Sequence, residues 1–215
     1  MKVMTMMGKG GAGKSTTGFH LAYAGQARGY RVLLVDADPQ GSLKAWSSLR
    51  GSDDIRVKPA TPEQVEALLR KAERFGYDFA IIDNAPVMNA HSAAIARRSD
   101  LVIVPTRASF FDLRVALDWV SWLQTVGRRS AVVINAAPAM REGQESPLVR
   151  DARRALNSTG AAVWRQQITQ RHVIIAAAAS GRSVAELVPV GAAAREYEAL
   201  WDSLGKAVGD ERKVS

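Results

Sequence analysis

Eight residues near the start of the chain, Gly8-Lys9-Gly10-Gly11-Ala12-Gly13-Lys14-Ser15, have the types and spacing that hold the phosphates of a nucleotide. In the pattern G-x-x-x-x-G-K-[ST], glycines let successive backbone N–H groups curl around phosphate oxygens, and a helix beginning at the lysine adds its dipole. Lys14 then reaches the β- and γ-phosphates, the Ser15 hydroxyl ligates Mg²⁺, and Thr16 stands in the same first turn. The expected cofactors are ATP and Mg²⁺.

A phosphate-bound Mg²⁺ needs further oxygen partners, and an attacking water needs a group to orient it. Asp36, Asp38 and Asp83 are the acidic candidates. Asp83 closes a hydrophobic run and is expected in the outer shell of the metal, with Asp36 as a second metal candidate. Asp36 and Asp38 are two apart and share one side of an extended backbone, so Asp38, lying further out, is the better placed for water.

These residues need a scaffold that gathers them. Lys2 to Met7 is a short apolar run before the glycine turn, and Lys14 to Arg28 has helical spacing. Continuous apolar runs follow at 31–36, 79–83, 101–105 and 131–135, as expected of strands buried on both faces of a parallel sheet. Segments of helical period separate them. Thr61-Pro62-Glu63 and Ser146-Pro147 read as helix starts, and Gly191 to Gly209 as a closing helix with Tyr197, Leu200, Trp201, Leu204 and Val208 on one stripe. The alternation implies an α/β fold: a doubly wound, mostly parallel sheet with helices on both faces. Ligands bind such sheets at the carboxyl ends of strands, where Gly8, Asp36, Asp83, Pro105 and Asn135 fall.

With 215 residues, 47% of them hydrophobic, residues 1–215 are expected to form a single domain. The absence of cysteine excludes disulfides, thiolate zinc sites and cysteine-held iron–sulfur clusters. No secretory leader or membrane-spanning run is recognisable, so a cytoplasmic setting is expected. The net charge is +8, and from Arg128 to Arg182 nine arginines stand against Glu142, Glu145 and Asp151, which suggests a basic face. His20, His91 and His172 are scattered and read as packing or surface residues.

Lys9-Gly10-Gly11-Ala12-Gly13-Lys14-Ser15, with its second lysine, resembles the deviant Walker A motif of the ParA/MinD ATPases. The resemblance continues through Val35-Asp36-Ala37-Asp38-Pro39-Gln40-Gly41, Tyr77 to Asp83, Val104-Pro105 and Phe111-Asp112-Leu113. Ile168-Thr169-Gln170-Arg171 and Gly181-Arg182-Ser183-Val184-Ala185-Glu186 are similar to the closing motifs of the small ParA proteins. The resemblance implies that Lys9 crosses a dimer interface to touch phosphate in the partner subunit, as a cation supplied in trans. It also implies Lys14 as the P-loop lysine, Asp38 as the water-positioning residue, and Asn135 as an adenine contact, with Pro105 beside the nucleotide. Asp83-Asn84-Ala85-Pro86 replaces the commoner Asp-Thr-Pro-Pro turn, and Ser15 stands where threonine is usual.

By this resemblance the chain is expected to use ATP to form a sandwich homodimer on non-specific DNA, associated with the nucleoid. A ParB-like or other cargo adaptor would stimulate hydrolysis. Arg150, Arg153, Arg154, Arg171 and Arg182 are the candidate phosphate contacts, neutralising charge without reading bases. No helix-turn-helix precedes Lys2, so operator recognition is not expected. A MinD-like membrane switch is the first rival and would need a terminal amphipathic helix, whereas the chain ends Asp210-Glu211-Arg212-Lys213-Val214-Ser215. A filament former differs only in what the dimers do next. Among metabolic enzymes on this scaffold, lack of cysteine excludes a nitrogenase reductase, and a ligase-like synthetase leaves Lys9 and the arginines unexplained.

Overall fold

In the computed structural model, which describes residues 1–210, the apolar runs become parallel strands of one sheet. Along the chain these are β1 (Lys2–Met6), β2 (Val32–Ala37), β3 (Arg56–Pro59), β4 (Phe79–Asn84), β5 (Leu101–Thr106) and β6 (Ser130–Ile134). Their order across the sheet is β3-β2-β4-β1-β5-β6, and every pairing is parallel. Every residue of β2, β4 and β5 is buried, which is why these segments read as unbroken hydrophobic runs.

Side-chain alternation sorts the interior into two layers. Met4, Met6, Leu34, Ile81, Ile103 and Val133 face one side, where they meet α1 (Lys14–Gln26), α2 (Ser42–Arg50), α7 (His172–Ala179), α8 (Val184–Leu187) and α9 (Ala192–Ala207). Val3, Leu33, Val35, Ile82, Val104 and Ile134 face the other, against α3 (Pro62–Arg74), α4 (Ala90–Arg98), α5 (Phe110–Thr125) and α6 (Pro147–Asn157). The doubly wound architecture is the one the sequence implies.

Local signals behave as their chemistry requires. Thr61 and Gln64 form a capping box ahead of Pro62, and the Ser146 side chain accepts from Val149 N ahead of Pro147. Tyr197, Leu200, Trp201 and Leu204 are buried on α9, and Val208, which caps its C-terminus, is buried with them. Helix α9 lies so close to α1 that a Cβ on Gly25 would come within 2.4 Å of the Trp201 ring. One strand is absent from the sequence reading: β3, Arg56-Val57-Lys58-Pro59, is a short edge strand carrying exposed charge, which leaves no hydrophobic period to detect.

Candidate functional site

The phosphate loop joins β1, the fourth strand across the sheet, to α1, and it is held from below by a residue far along the chain. Gly13 caps α1 with φ 94°, and a Cβ there would sit 2.1 Å from Asn135 Nδ2. That amide donates to Ala12 O at 2.8 Å, while Asn135 N donates to Thr106 O at 2.7 Å. Asn135 thus fixes the loop whatever else it touches. Pro105 is buried in β5 and presents its carbonyl beneath Gly8. Arg107, which sequence reasoning missed, donates from Nη2 to Gly11 O at 3.0 Å.

At the start of α1, Ser15 Oγ donates to Asp83 Oδ2 at 2.5 Å. Burial pushes the Asp83 carboxyl up to about 6, against the Ser15 hydrogen bond and the nearby Lys14 charge, which favour ionisation. Asp83 Oδ1 is buried without a hydrogen-bond partner among the described residues. A carboxylate one oxygen short of a partner, beside a serine hydroxyl at a phosphate loop, fits a hard divalent cation completed by water and phosphate oxygens. Ser15 and Asp83, brought together by their hydrogen bond, are the groups that would position Mg²⁺; no cluster of three or more His, Cys, Asp or Glu stands among the described residues. Lys14 is buried, and burial lowers its pKa while Asp83 and Asp38 raise it.

Asp36 and Asp83 are register partners across β2 and β4. Asp36 Oδ2 accepts from Lys44 N at 2.8 Å, anchoring the first turns of α2; burial raises the carboxyl's pKa and that N–H opposes the rise. Asp38 accepts at Oδ1 from Gln40 N at 3.0 Å and opens onto a cleft of about 600 Å³ with Gly10, Lys14 and Ser15. The stacked rings of Phe19 and Trp46, 4.6 Å apart, form its apolar wall. Of the two aspartates, Asp38 is the one on the phosphate cleft; Asp36 borders a neighbouring cavity of about 450 Å³. On the other side of the loop a third cavity, of about 280 Å³, joins Gly13 and Thr16 to Arg107, Asn135 and Gln170. Phosphates on one side and a nucleoside on the other would straddle the start of α1.

Lys9 is turned away from the phosphate cleft of its own chain. Its Nζ lies 2.8 Å from Asp112 Oδ1 in the first turn of α5. Burial pushes the Asp112 carboxyl up, but hydrogen bonds from Lys9 and Ser109 outweigh it and hold the group below the usual carboxylate range. Ser109 caps α5 and is spaced three residues before Asp112. That spacing is a helix-start signal, but it carries no hint of Lys9.

The five candidate arginines do not share one helical layer. Helix α6, with Arg150, Arg153 and Arg154, packs on one side of the sheet, and the α7–α8 segment with Arg171 and Arg182 packs on the other. Arg153 is tied to Glu145 and to the carbonyls of Trp164 and Gln166. Arg171 pairs with both oxygens of Glu196 at 2.7 and 2.9 Å. Arg150, Arg154 and Arg182 are exposed, and Arg154 makes a 3.3 Å surface pair with Asp151. Arg150, Arg153 and Arg154 gather on α6, while Arg171 and Arg182 belong to the opposite helical layer. His20 is fully buried, stacked 4.1 Å from Tyr197, and His91 pairs with Glu63 at the surface, as packing and surface roles require. No helix among the described residues is long and apolar enough to cross a membrane.

The domain family described as the CobQ/CobB/MinD/ParA nucleotide binding domain matches residues 3–188. Maintenance of carboxysome distribution protein A from Halothiobacillus neapolitanus is 26% identical over 192 residues, 87% of this chain and 88% of that protein. Its namesake from Gloeobacter kilaueensis is 37% identical over 119 residues, 55% of this chain and 54% of that protein. The chromosome-partitioning ATPase Soj of Thermus thermophilus is 30% identical over 147 residues, 55% of this chain and 59% of that protein. The chain thus spans little more than half the length of these last two relatives. Among solved structures, the ATP complex of McdA from Cyanothece superposes with a TM-score of 0.77 at 18% identity, covering 100% of this chain and 99% of that one. The septum site-determining protein MinD with Mg-ADP from Pyrococcus horikoshii gives 0.76 at 18%, covering 99% of both. At such identities these likenesses speak for the fold.

Proposed function

The chain belongs to the CobQ/CobB/MinD/ParA nucleotide-binding family, and on that premise we propose that it is a ParA-like ATPase, a switch in which Mg²⁺ and ATP drive formation of a sandwich homodimer. The observation that carries this reading is the position of Lys9. A phosphate loop already served by Lys14 carries a second lysine that its own chain parks on Asp112, 2.8 Å away, outside the phosphate cleft. A cation held in reserve beside the loop suits phosphate delivered by another subunit.

In this reading Gly8 to Gly13 cradle the phosphates and Lys14 pairs with the β- and γ-phosphates. Ser15 and Asp83 position Mg²⁺, with Asp36 bracing α2 behind them, and Asp38 orients the attacking water across the cleft it lines. Thr16, Pro105 and Asn135 support the nucleoside end. The dimer binds DNA non-specifically through exposed arginines, Arg150, Arg154 and Arg182 being the ones open to solvent. Arg153 and Arg171 act chiefly by bracing Glu145 and Glu196.

Relatives named for carboxysome distribution and chromosome partitioning make a positioning role the natural one, with a plasmid, a chromosome region or a protein organelle as cargo and an adaptor protein stimulating hydrolysis. The proposed setting is the nucleoid in the cytoplasm. The membrane-switch rival turns on the C-terminal tail, of which residues 211–215 lie outside the described residues.

Light scattering on the full chain with ATP, ADP and no nucleotide, paired with phosphate release with and without plasmid DNA, tests the proposal. A dimer confined to the ATP sample and slow phosphate release are expected. A mass independent of nucleotide would overturn the switch, and retention by anionic vesicles but not DNA would favour the membrane rival.

A further inference from the structure

The loop that holds phosphate leaves β1, whose neighbours in the sheet are β4 on one side and β5 on the other. The segments that follow both neighbours touch it. Pro86, after β4, comes within 4.0 Å of where a Gly10 Cβ would stand, and Arg107 and Asp112, after β5, bond to Gly11 O and Lys9. Each of these flanking segments, the loop after β4 and the start of α5 after β5, exposes large apolar side chains. After β4 they are Val87 and Met88, at 48% and 37% exposure; after β5 they are Phe110 and Phe111, both at 72%, with ring centroids 5.4 Å apart. Two adjacent phenylalanines this open to water, beside an ionic pair, are the composition of an interface anchor.

We propose that Val87–Met88 and Phe110–Phe111 form an apolar rim on which a second copy of this chain closes over the two bound nucleotides, with the phenylalanine pair as its anchor. The inference rests on the ATP-driven dimer read above and says which side chains close it. Two arguments select a second copy as the occupant. The first is symmetry. When two phosphate loops face one another across a two-fold axis, an axis along the sheet order sets each rim against its own copy, and an axis across that order sets the β4-side rim against the β5-side rim. In either case apolar surface meets apolar surface, as an isologous contact requires. The second is charge complementarity. In the free chain Lys9 is balanced by Asp112, and Lys14 by Asp83 and Asp38, so a triphosphate bound at each loop leaves the mouth with excess negative charge, which the partner's Lys9, held only by a partly open surface pair, can meet. Bound nucleotide therefore favours closure of the rim on a second copy.

The experiment compares wild type with F110S/F111S, V87S/M88S and, as a control on the remote helix α6, L148S, whose leucine is 54% exposed. Monomer affinity is read with a fluorescent ATP analogue, and dimer affinity by sedimentation in a slowly hydrolysed one. The phenylalanine variant should bind nucleotide within about twofold of wild type and weaken the dimer by at least about thirtyfold, with a smaller loss for V87S/M88S and none for L148S. Because these side chains are exposed, circular dichroism should match wild type. A wild-type dimer that survives both rim variants overturns the rim alone. A wild-type chain that stays monomeric with nucleotide bound overturns the dimer reading and the rim with it.

Discussion

The ammonium of Lys9 and the carboxylate of Asp112 stand 2.8 Å apart although 103 residues separate them in the chain. The pair is partly open to water, 41% on the lysine side, so it contributes no more than about 1 kcal/mol and can be exchanged for a phosphate. Asp112→Asn should release Lys9 and shift the ATP-dependent dimer to severalfold lower protein concentration. Lys9→Ala should bind ATP normally but neither dimerise nor hydrolyse. Sedimentation across an ATP titration checks both, and a normal Lys9→Ala dimer would remove the trans contact.

Lys14 and Asp38 line one cleft, and the proposed function assigns them different steps. Lys14→Ala should lower ATP affinity by at least a hundredfold, on the order of 3 kcal/mol or more, because a buried charge-assisted phosphate contact is lost. Asp38→Ala should retain ATP and accumulate as a dimer with phosphate release near background. Calorimetry for the first and light scattering for the second are sufficient, and loss of ATP binding in Asp38→Ala would contradict its assignment to water.

The division of the arginines between two sides of the sheet makes their contributions to DNA binding separable. Arg150→Glu with Arg154→Glu alters one side and Arg182→Glu the other, and neither substitution touches the phosphate loop. Whichever of the two variants alters the side that faces DNA should abolish retention on a DNA column, with ATP affinity unchanged. Charge-neutral replacements there should reduce the salt slope by about one per arginine removed. Unchanged retention in every variant would assign these residues to solvation.

His20 supplies a pH test of the scaffold. Burial holds its pKa down to about 3, against the backbone carbonyl of Thr16, which favours the charged form. The unfolded chain takes up a proton near pH 6.5 that the folded chain does not, so stability is unaffected above that value and falls as pH drops from about 6.5 toward 3. The loss is about 1.4 kcal/mol per pH unit, or roughly 2 kcal/mol between pH 7 and 5. Unfolding free energies from urea titrations of wild type should fall by that amount between pH 7 and 5, and His20→Phe should lack this loss; equal pH sensitivity in the two would remove His20 as its source.

Legibility in the sequence followed chain distance. The loop from Gly8 to Ser15, the buried strands β2, β4 and β5, and the caps at Thr61 and Ser146 are contiguous patterns, and each appears where it was read. β3 escaped notice because an edge strand need not be hydrophobic. The contact of Asp112, named only within the Phe111-Asp112-Leu113 motif, and the role of Arg107 were not legible, because nothing in α5 or in the loop before it points toward residues 9 and 11.

By itself, then, the sequence determined the local conformations and the phosphate chemistry, because backbone geometry and side-chain period are set by residues a few positions apart. Strand order was decided only by the tertiary structure, since βα units of similar length can be laid down in more than one order. That order places β4 and β5 beside β1. It brings Asp83 to Ser15, Asn135 beneath Gly13 and Asp112 to Lys9, and it puts α6 and α7 on opposite sides of the sheet.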